Sequence, residues 1–329
     1  MSGKNKVFQQ IMNKWGKEGK AFFFLIDFEM EKPFICELKN LKKENILLYT
    51  SSFNNSHEKK LKLKEDFAIY PVEYKVYKKA FDYVIKEIQY GNSYLVNLTF
   101  PSVLKTQNTL KEIFYSARSP YKLFFKDKFV SFSPETFVKI SDNTIFSYPM
   151  KGTIDASVAD AEKVILENEK EKNEHYTIVD LIRNDLSMVS ERVRVTKFRF
   201  LEEIKTNRKN ILQVSSEIQG KLENNWQERI GDIIWKLLPA GSVSGAPKQK
   251  TMEIIRNTEM DKRGYYTGIF GIFDGKNLDS AVNIRYIEQN NNRFYYRSGG
   301  GITAKSNSKK EYEELIDKIY VPLDGNYKN

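Results

Sequence analysis

Strands and helices interleave along this chain without a repeated strand–helix–strand rhythm, and that constrains the fold more than any single motif. A doubly wound parallel sheet needs such a rhythm, because every crossover helix must return the chain to start a parallel strand. Here Val76, Tyr77, Ala80, Phe81, Val84, Ile85 and Ile88 recur at helical spacing over 73–90, and Gly91 supplies the stop. Tyr94, Val96, Leu98 and Phe100 then alternate as a strand, with Ser93, Asn97 and Thr99 on its other face. Residues 121–133 read as a hairpin turning near Lys126-Asp127-Lys128, and another strand runs through 144–148 toward Lys151. Helices are expected over 158–186, 226–238 and 248–257. Strands return over 267–273, 278–288 and 293–298, and a last helix over 308–320 stops before Pro322. The first 70 residues read as irregular, with short strands at 22–27 and 46–49, and 51–66 as an exposed polar connection. The expected class is α+β: one domain over 1–329, with a short N-terminal part (1–72) and a core (73–323).

Composition narrows the chemistry. The single cysteine, Cys36, excludes an intrachain disulfide and suits a reducing compartment. The apolar run 21–26 is too short to span a membrane and ends at Asp27, so a soluble cytoplasmic protein without a membrane partner is expected. The net charge of +10 is spread among mixed Lys and Glu. A nucleic-acid partner is therefore the weaker reading, and an anionic small substrate fits the same charge. Only two histidines occur, His57 and His175, which leaves a multi-histidine zinc site or a Ser-His-Asp triad poorly supported. Catalysis must lean on Lys, Glu, Asp, Arg or Tyr.

In the last helix Tyr312, Leu315, Ile316 and Ile319 form an apolar stripe, and Glu311, Glu314 and Lys318 form a second stripe beside it. From this helix alone, a solvated face with i,i+4 pairing is the simpler reading. Glu174 lies between Ile178 and Leu181 on its own helix, where a carboxylate is costly unless it is paired or metal-bound. Two such glutamates, Glu174 and Glu314, suit Mg²⁺, which takes few protein carboxylates plus water and substrate oxygens. The segment Gly299 to Ser306 departs from a P-loop at Ala304. It and Gly241 to Gly245 remain candidates for backbone N–H contact with an anion, or simple tight turns. Lys151 would have to be neutral to act as a nucleophile.

Taken in order, several blocks resemble the chorismate-utilising enzyme family. They are Ser131-Phe132-Ser133-Pro134-Glu135, Tyr148-Pro149-Met150-Lys151-Gly152-Thr153, Glu174-His175 leading into Ile178 to Asp185, Gly241 to Lys248, Ser298 to Ile302, and Glu311-Tyr312-Glu313-Glu314. The resemblance covers about 73–323 and implies a four-layer α/β/β/α sandwich with its active-site cleft between two large, mostly antiparallel sheets. It further implies Glu174 and Glu314 as Mg²⁺ ligands with Glu311 beside them. Tyr266 and Arg285 are implied to contact the substrate carboxylate, Gly300 and Gly301 to offer backbone donors, and Lys318 to be a basic contact. Thr153 is implied to line the ring pocket and Glu135 to be the general acid for a leaving hydroxyl. A lysine at position 151 resembles the aminodeoxychorismate synthase branch, in which it attacks the ring. The branches that form anthranilate or isochorismate usually carry a small residue there.

Two departures stand out. Gln213 occupies the position of a histidine in anthranilate-forming members, and Lys305 replaces a usual aspartate after the glycine loop. No glutaminase Cys/His signature is present, so the expected substrates are chorismate and ammonia, the latter from a glutaminase subunit or from solution.

Overall fold

The structure, a computed structural model, describes residues 3–56, 63–64, 67–204 and 210–322. His57 and half of the expected 51–66 connection lie outside the described residues, as does residue 323. The N-terminal part contributes α1 (Gly3–Lys17), β1 (Phe22–Ile26), β2 (Phe34–Glu37), β3 (Ile46–Tyr49) and β4 (Ala68–Tyr70). Then come α2 (Tyr74–Gln89), β5 (Leu95–Lys105), α3 (Leu110–Ser116), β6 (Tyr121–Phe125), β7 (Phe129–Ser133), β8 (Thr136–Ser141), β9 (Thr144–Ser147) and β10 (Met150–Asp155). The middle holds α4 (Ala161–Glu167), α5 (Glu169–Ser187), β11 (Glu191–Ile204), β12 (Ile211–Lys221), α6 (Ile230–Leu237), α7 (Gly241–Ser244), β13 (Gly245–Ala246) and α8 (Lys248–Thr258). The chain closes with β14 (Ile269–Phe273), β15 (Leu278–Val282), β16 (Tyr286–Asn290), β17 (Arg293–Ile302) and α9 (Ser308–Asp317).

The strands form two antiparallel sheets. One has nine strands in the order β10-β12-β9-β8-β15-β14-β1-β2, with β11 also paired to β12. The other has eight in the order β13-β5-β17-β16-β7-β6-β3, with β4 also paired to β5. Alternation along β1 explains why the sheets stack. Phe22, Phe24 and Ile26 face a core shared with Phe8 and Met12 of α1, Val179 of α5 and Ile234 of α6. Phe23 and Leu25 face the other way, against Leu48, Leu123, Phe129 and Tyr286 of the second sheet. The far face of that sheet is covered by Tyr77 and Val84 of α2, Ile254 of α8 and Leu315 of α9. The result is an α/β/β/α sandwich, the α+β class expected. Large side chains buried on both faces of a strand such as β1 supply most of the drive, at ~25 cal/mol per Å² of apolar area removed from water.

Several expectations change. The first residues are a helix, α1, because Phe8 and Met12 bury one stripe while Gly16 lets the backbone of residue 227 pass close. The expected 158–186 helix is two helices, since the Asn168 side chain accepts from the Glu171 N–H at 3.1 Å and caps α5. The long β11–β12 hairpin has no clear expectation in the sequence, because its register shifts break the alternation. The expected 278–288 strand is β15 in one sheet and β16 in the other, bent where Arg285 takes φ +53°.

Candidate active site

Two stretches of chain pass side by side from one sheet to the other. Pro134 and Glu135 join β7 to β8, and residues 283–285 join β15 to β16. They are hydrogen-bonded to each other: Phe132 N–H donates to Arg285 O and Val282 N–H to Glu135 O, both at 3.1 Å. Glu135 and Arg285 therefore sit on one two-stranded ribbon at the mouth between the sheets. The cleft beside it has a volume of about 1390 Å³.

Burial pushes the Glu135 carboxyl above its ordinary range, against the opposing pull of the Ser242 hydroxyl, Arg285, Lys318 and Lys151. A carboxyl whose affinity for its proton is raised in this way is suited to proton donation. Ser242 Oγ donates to Glu135 Oε1. The Arg285 guanidinium lies over the Tyr320 ring, 5.2 Å from its centroid, and its buried Nε has no hydrogen-bond partner. An unpaired buried donor of this kind marks a place for an anion. Tyr266 is buried beside it, and burial pushes its phenol up to about 12.

Lys151 stands on β10 at the opposite wall. Its Nζ is 2.8 Å from Glu174 Oε2. Burial works to strip its proton, but Glu174, Glu314 and Glu171 together hold the ammonium above its ordinary range. The neutral lysine that nucleophilic attack requires is thus not the state of the cleft as it stands. Gly152 follows at φ +90°, and a Cβ there would come 3.1 Å from Glu171 Oε2. His175, adjacent to Glu174, is fully buried, with Nε2 2.7 Å from Ser216 Oγ on β12. It ties α5 to the strand next to β10 and sets Glu174 opposite Lys151. Thr153 is exposed to the cleft and pairs across the sheet with Gln213, whose Nε2 reaches Met150 Sδ at 2.9 Å.

The last helix supplies the third wall. Glu311 is only 5% exposed, which overturns the solvated-face reading for that residue. Lys318 Nζ lies 2.7 Å from Glu314 Oε1 and donates to Gly299 O at 3.0 Å. Burial holds the Lys318 amine below its ordinary value, Lys151 and Arg285 add to this, and Glu314 opposes it. A Cβ on Gly300 would come 3.7 Å from Glu314 Oε1, 3.7 Å from Lys318 Nζ and 3.8 Å from Glu311 Oε2. Gly301 lines the cleft itself.

The structure thus gathers Lys151, Glu135, Thr153, Tyr266, Arg285, Gly301, Lys318, Glu174 and Glu314 on one cleft, with Gly300 and Glu311 directly behind Glu314. Among the described residues no three His, Cys, Asp or Glu side chains converge as a closed metal cage. The donor chemistry nonetheless fits a hard cation that keeps much of its own water, because Glu174, Glu314 and Glu171 all act on one ammonium, that of Lys151. Positive charge is what that place demands.

Two features were given no role by the sequence reading. The Gly241 N–H, a candidate anion donor, is already taken by the Asp185 carboxylate, which also pairs with Lys248 at 2.8 Å. Arg263 is 1% exposed and bonds Glu259, Val243 O and Asn97 O, which locks the chain beside Tyr266. The signal for Asp185 was its place at the end of the 178–185 block; Arg263 carried none. No described helix is long and apolar enough to cross a membrane.

A family model described as chorismate binding enzyme matches residues 9–324. The chain is 55% identical over 313 residues to an uncharacterized PabA-like protein of Haemophilus influenzae, covering 95% of each. It is 32% identical to anthranilate synthase component 1 of Acetivibrio thermocellus over 86% of this chain and 55% of that one. It is 31% identical to aminodeoxychorismate synthase component 1 of Bacillus subtilis over 74% of this chain and 54% of that one. The chain thus spans about half the length of the last two. Among solved structures, anthranilate synthase component I of Streptococcus pneumoniae superposes with a TM-score of 0.69 at 21% identity, over 92% of this chain and 80% of that one.

Proposed function

The chain belongs to the chorismate-binding enzyme family, and we propose that within it the protein aminates chorismate to 4-amino-4-deoxychorismate, as an aminodeoxychorismate synthase component 1. One observation carries the reading: a lysine, Lys151, has its amine in the cleft, 2.8 Å from Glu174, and shares that cleft with Glu135.

Direct exchange of a ring hydroxyl for ammonia is difficult because hydroxide leaves poorly. Two displacements avoid this. Lys151 first passes its proton to Glu174, its nearest acceptor. Its neutral amine bonds to ring C2, the two ring double bonds shift, and the C4 oxygen leaves with the Glu135 proton as water. Ammonia then bonds to C4, the double bonds shift back, the C2–Nζ bond breaks to release the neutral Lys151 amine, and Glu174 returns its proton to that amine. The Glu135 carboxylate recovers a proton from the new C4 ammonium, so atoms and charge balance. Arg285, the Gly301 backbone and Lys318 orient the anionic substrate, and Thr153 bounds the ring. Mg²⁺ held by Glu174 and Glu314, with Glu311 behind, would supply positive charge for the substrate carboxylate.

A glutaminase subunit is the proposed ammonia source. Cys36 cannot serve as the glutaminase nucleophile, since it is buried and burial pushes its thiol up to about 11. The second reading is anthranilate formation, favoured by the relative of that name. Incubating the protein with chorismate, Mg²⁺ and an ammonium salt decides between them. The expected product is 4-amino-4-deoxychorismate by mass, whereas fluorescent anthranilate with released pyruvate would establish the second reading.

A further inference from the structure

We propose that Ser242 is a positioning residue that fixes which oxygen of the Glu135 carboxyl carries the transferable proton. The inference rests on the reading of Glu135 as the proton donor. Ser242 Oγ donates to Glu135 Oε1. With the Ser242 hydroxyl as the donor, Oε1 takes the carbonyl role, and the acidic proton is placed on Oε2 and left for the substrate. Were the proton on Oε1, it would point at Ser242 and be lost to the reaction.

Ser242 is held for this task from behind. It lies in the short α7, whose first residue, Gly241, gives its N–H to Asp185 of α5. A Cβ at Gly241 would come 2.9 Å from Asp185 Oδ2 and 3.0 Å from Leu181 Cγ, so only glycine lets the carboxylate reach the backbone. Lys248 closes the arrangement: its Nζ pairs with Asp185 at 2.8 Å and donates to Leu237 O at 2.9 Å. The chain Lys248–Asp185–Gly241 thus anchors the turn that presents Ser242. Four groups act on Glu135 against its burial: the Ser242 hydroxyl first, then Arg285, Lys318 and Lys151. Of these only Ser242 is neutral, so it orients the carboxyl without adding charge to a cleft that binds an anion.

The test measures kcat and KM for chorismate across pH in Ser242→Ala, Ser242→Cys, Ser242→Thr, Glu135→Gln and the double variant Glu135→Gln/Ser242→Ala. Ser242→Ala is expected to lower kcat about tenfold with KM unchanged, the usual scale for losing a hydrogen bond to an ionisable group. The alkaline limb of kcat moves upward, because a donor that favoured the carboxylate is gone and the acid persists to higher pH. Ser242→Thr restores both, and Ser242→Cys, a weak donor of similar size, falls between and serves if the alanine variant does not fold. In the Glu135→Gln background, removing Ser242 has no further effect. Losses that multiply in the double variant, or an alkaline limb that stays in place, overturn the proposal while leaving Glu135 as the acid. Full activity in Glu135→Gln overturns the reading of Glu135 and the proposal with it.

Discussion

Lys151 Nζ and Glu174 Oε2 lie 2.8 Å apart, so the cleft holds its one β10 lysine on the carboxylate that would also meet a metal. The pairing gives Lys151 a fixed direction, out of the strand and across to α5.

Chorismate supplied without ammonia is expected to leave a covalent adduct on Lys151. Intact-protein mass spectrometry reads it as one chorismate less one water, and peptide mapping places it. Lys151→Ala gives no adduct and no 4-amino-4-deoxychorismate. Formation of that product at the parent rate by Lys151→Ala removes the covalent role.

Glu314→Gln is expected to weaken Mg²⁺ binding ~10-fold or more, the scale on which metal sites respond to loss of a supporting group. Calorimetric titration of the substrate-free protein with Mg²⁺ reads this without any turnover. An unchanged isotherm takes Glu314 out of the site.

Glu135→Gln keeps shape and loses the proton. Its kcat is expected to fall by ~10²–10⁴, the range for general acid help. Circular dichroism that matches the parent confirms that the fold is intact.

His175 gives a pH prediction. Burial first, and then the Arg199 charge, hold its imidazole down to about 4 from 6.5, while the nearby Lys151 backbone works the other way. Below pH 6.5 the unfolded chain takes up a proton that the folded chain refuses until about pH 4. Stability from this site is therefore complete above 6.5 and falls as pH drops toward 4, by roughly 3 kcal/mol in all. Urea unfolding of His175→Gln across that window is expected to show a shallower slope than the parent.

Arg263→Met is expected to destabilise the fold by ~3–5 kcal/mol, because it leaves Glu259 charged and buried without its partner. The two side chains are 1% and 5% exposed and 2.6 Å apart. Thermal unfolding reads the loss, and Arg263→Met/Glu259→Gln recovers part of it.

Much of the architecture was legible because its elements are local. The α2 stripe and the 121–133 hairpin carry their periodicity in consecutive residues. The bend at Arg285 was not legible, since the 278–288 run contains no glycine or proline to break it while its partners change sheet. Likewise Glu311 and Glu314 look like any solvated helix face until β17 presents glycine to them. Lys151 was visible as a residue, but its pairing with Glu174 depends on α5 folding back over β10, which no window of sequence contains. Ser242 lay within a block read as an anion loop, whose first N–H proved to serve Asp185.

The ribbon that carries Glu135 and Arg285 is also a seam of the molecule, where the chain crosses between the two sheets once in each direction. Glu135 and Arg285 hang on the same pair of backbone bonds, so a shift of one sheet against the other carries the two together. A substrate that engages both residues acts as a rivet through that seam. The alignment of Glu135 with Arg285 and the cohesion of the two sheets are thus one mechanical property of this fold.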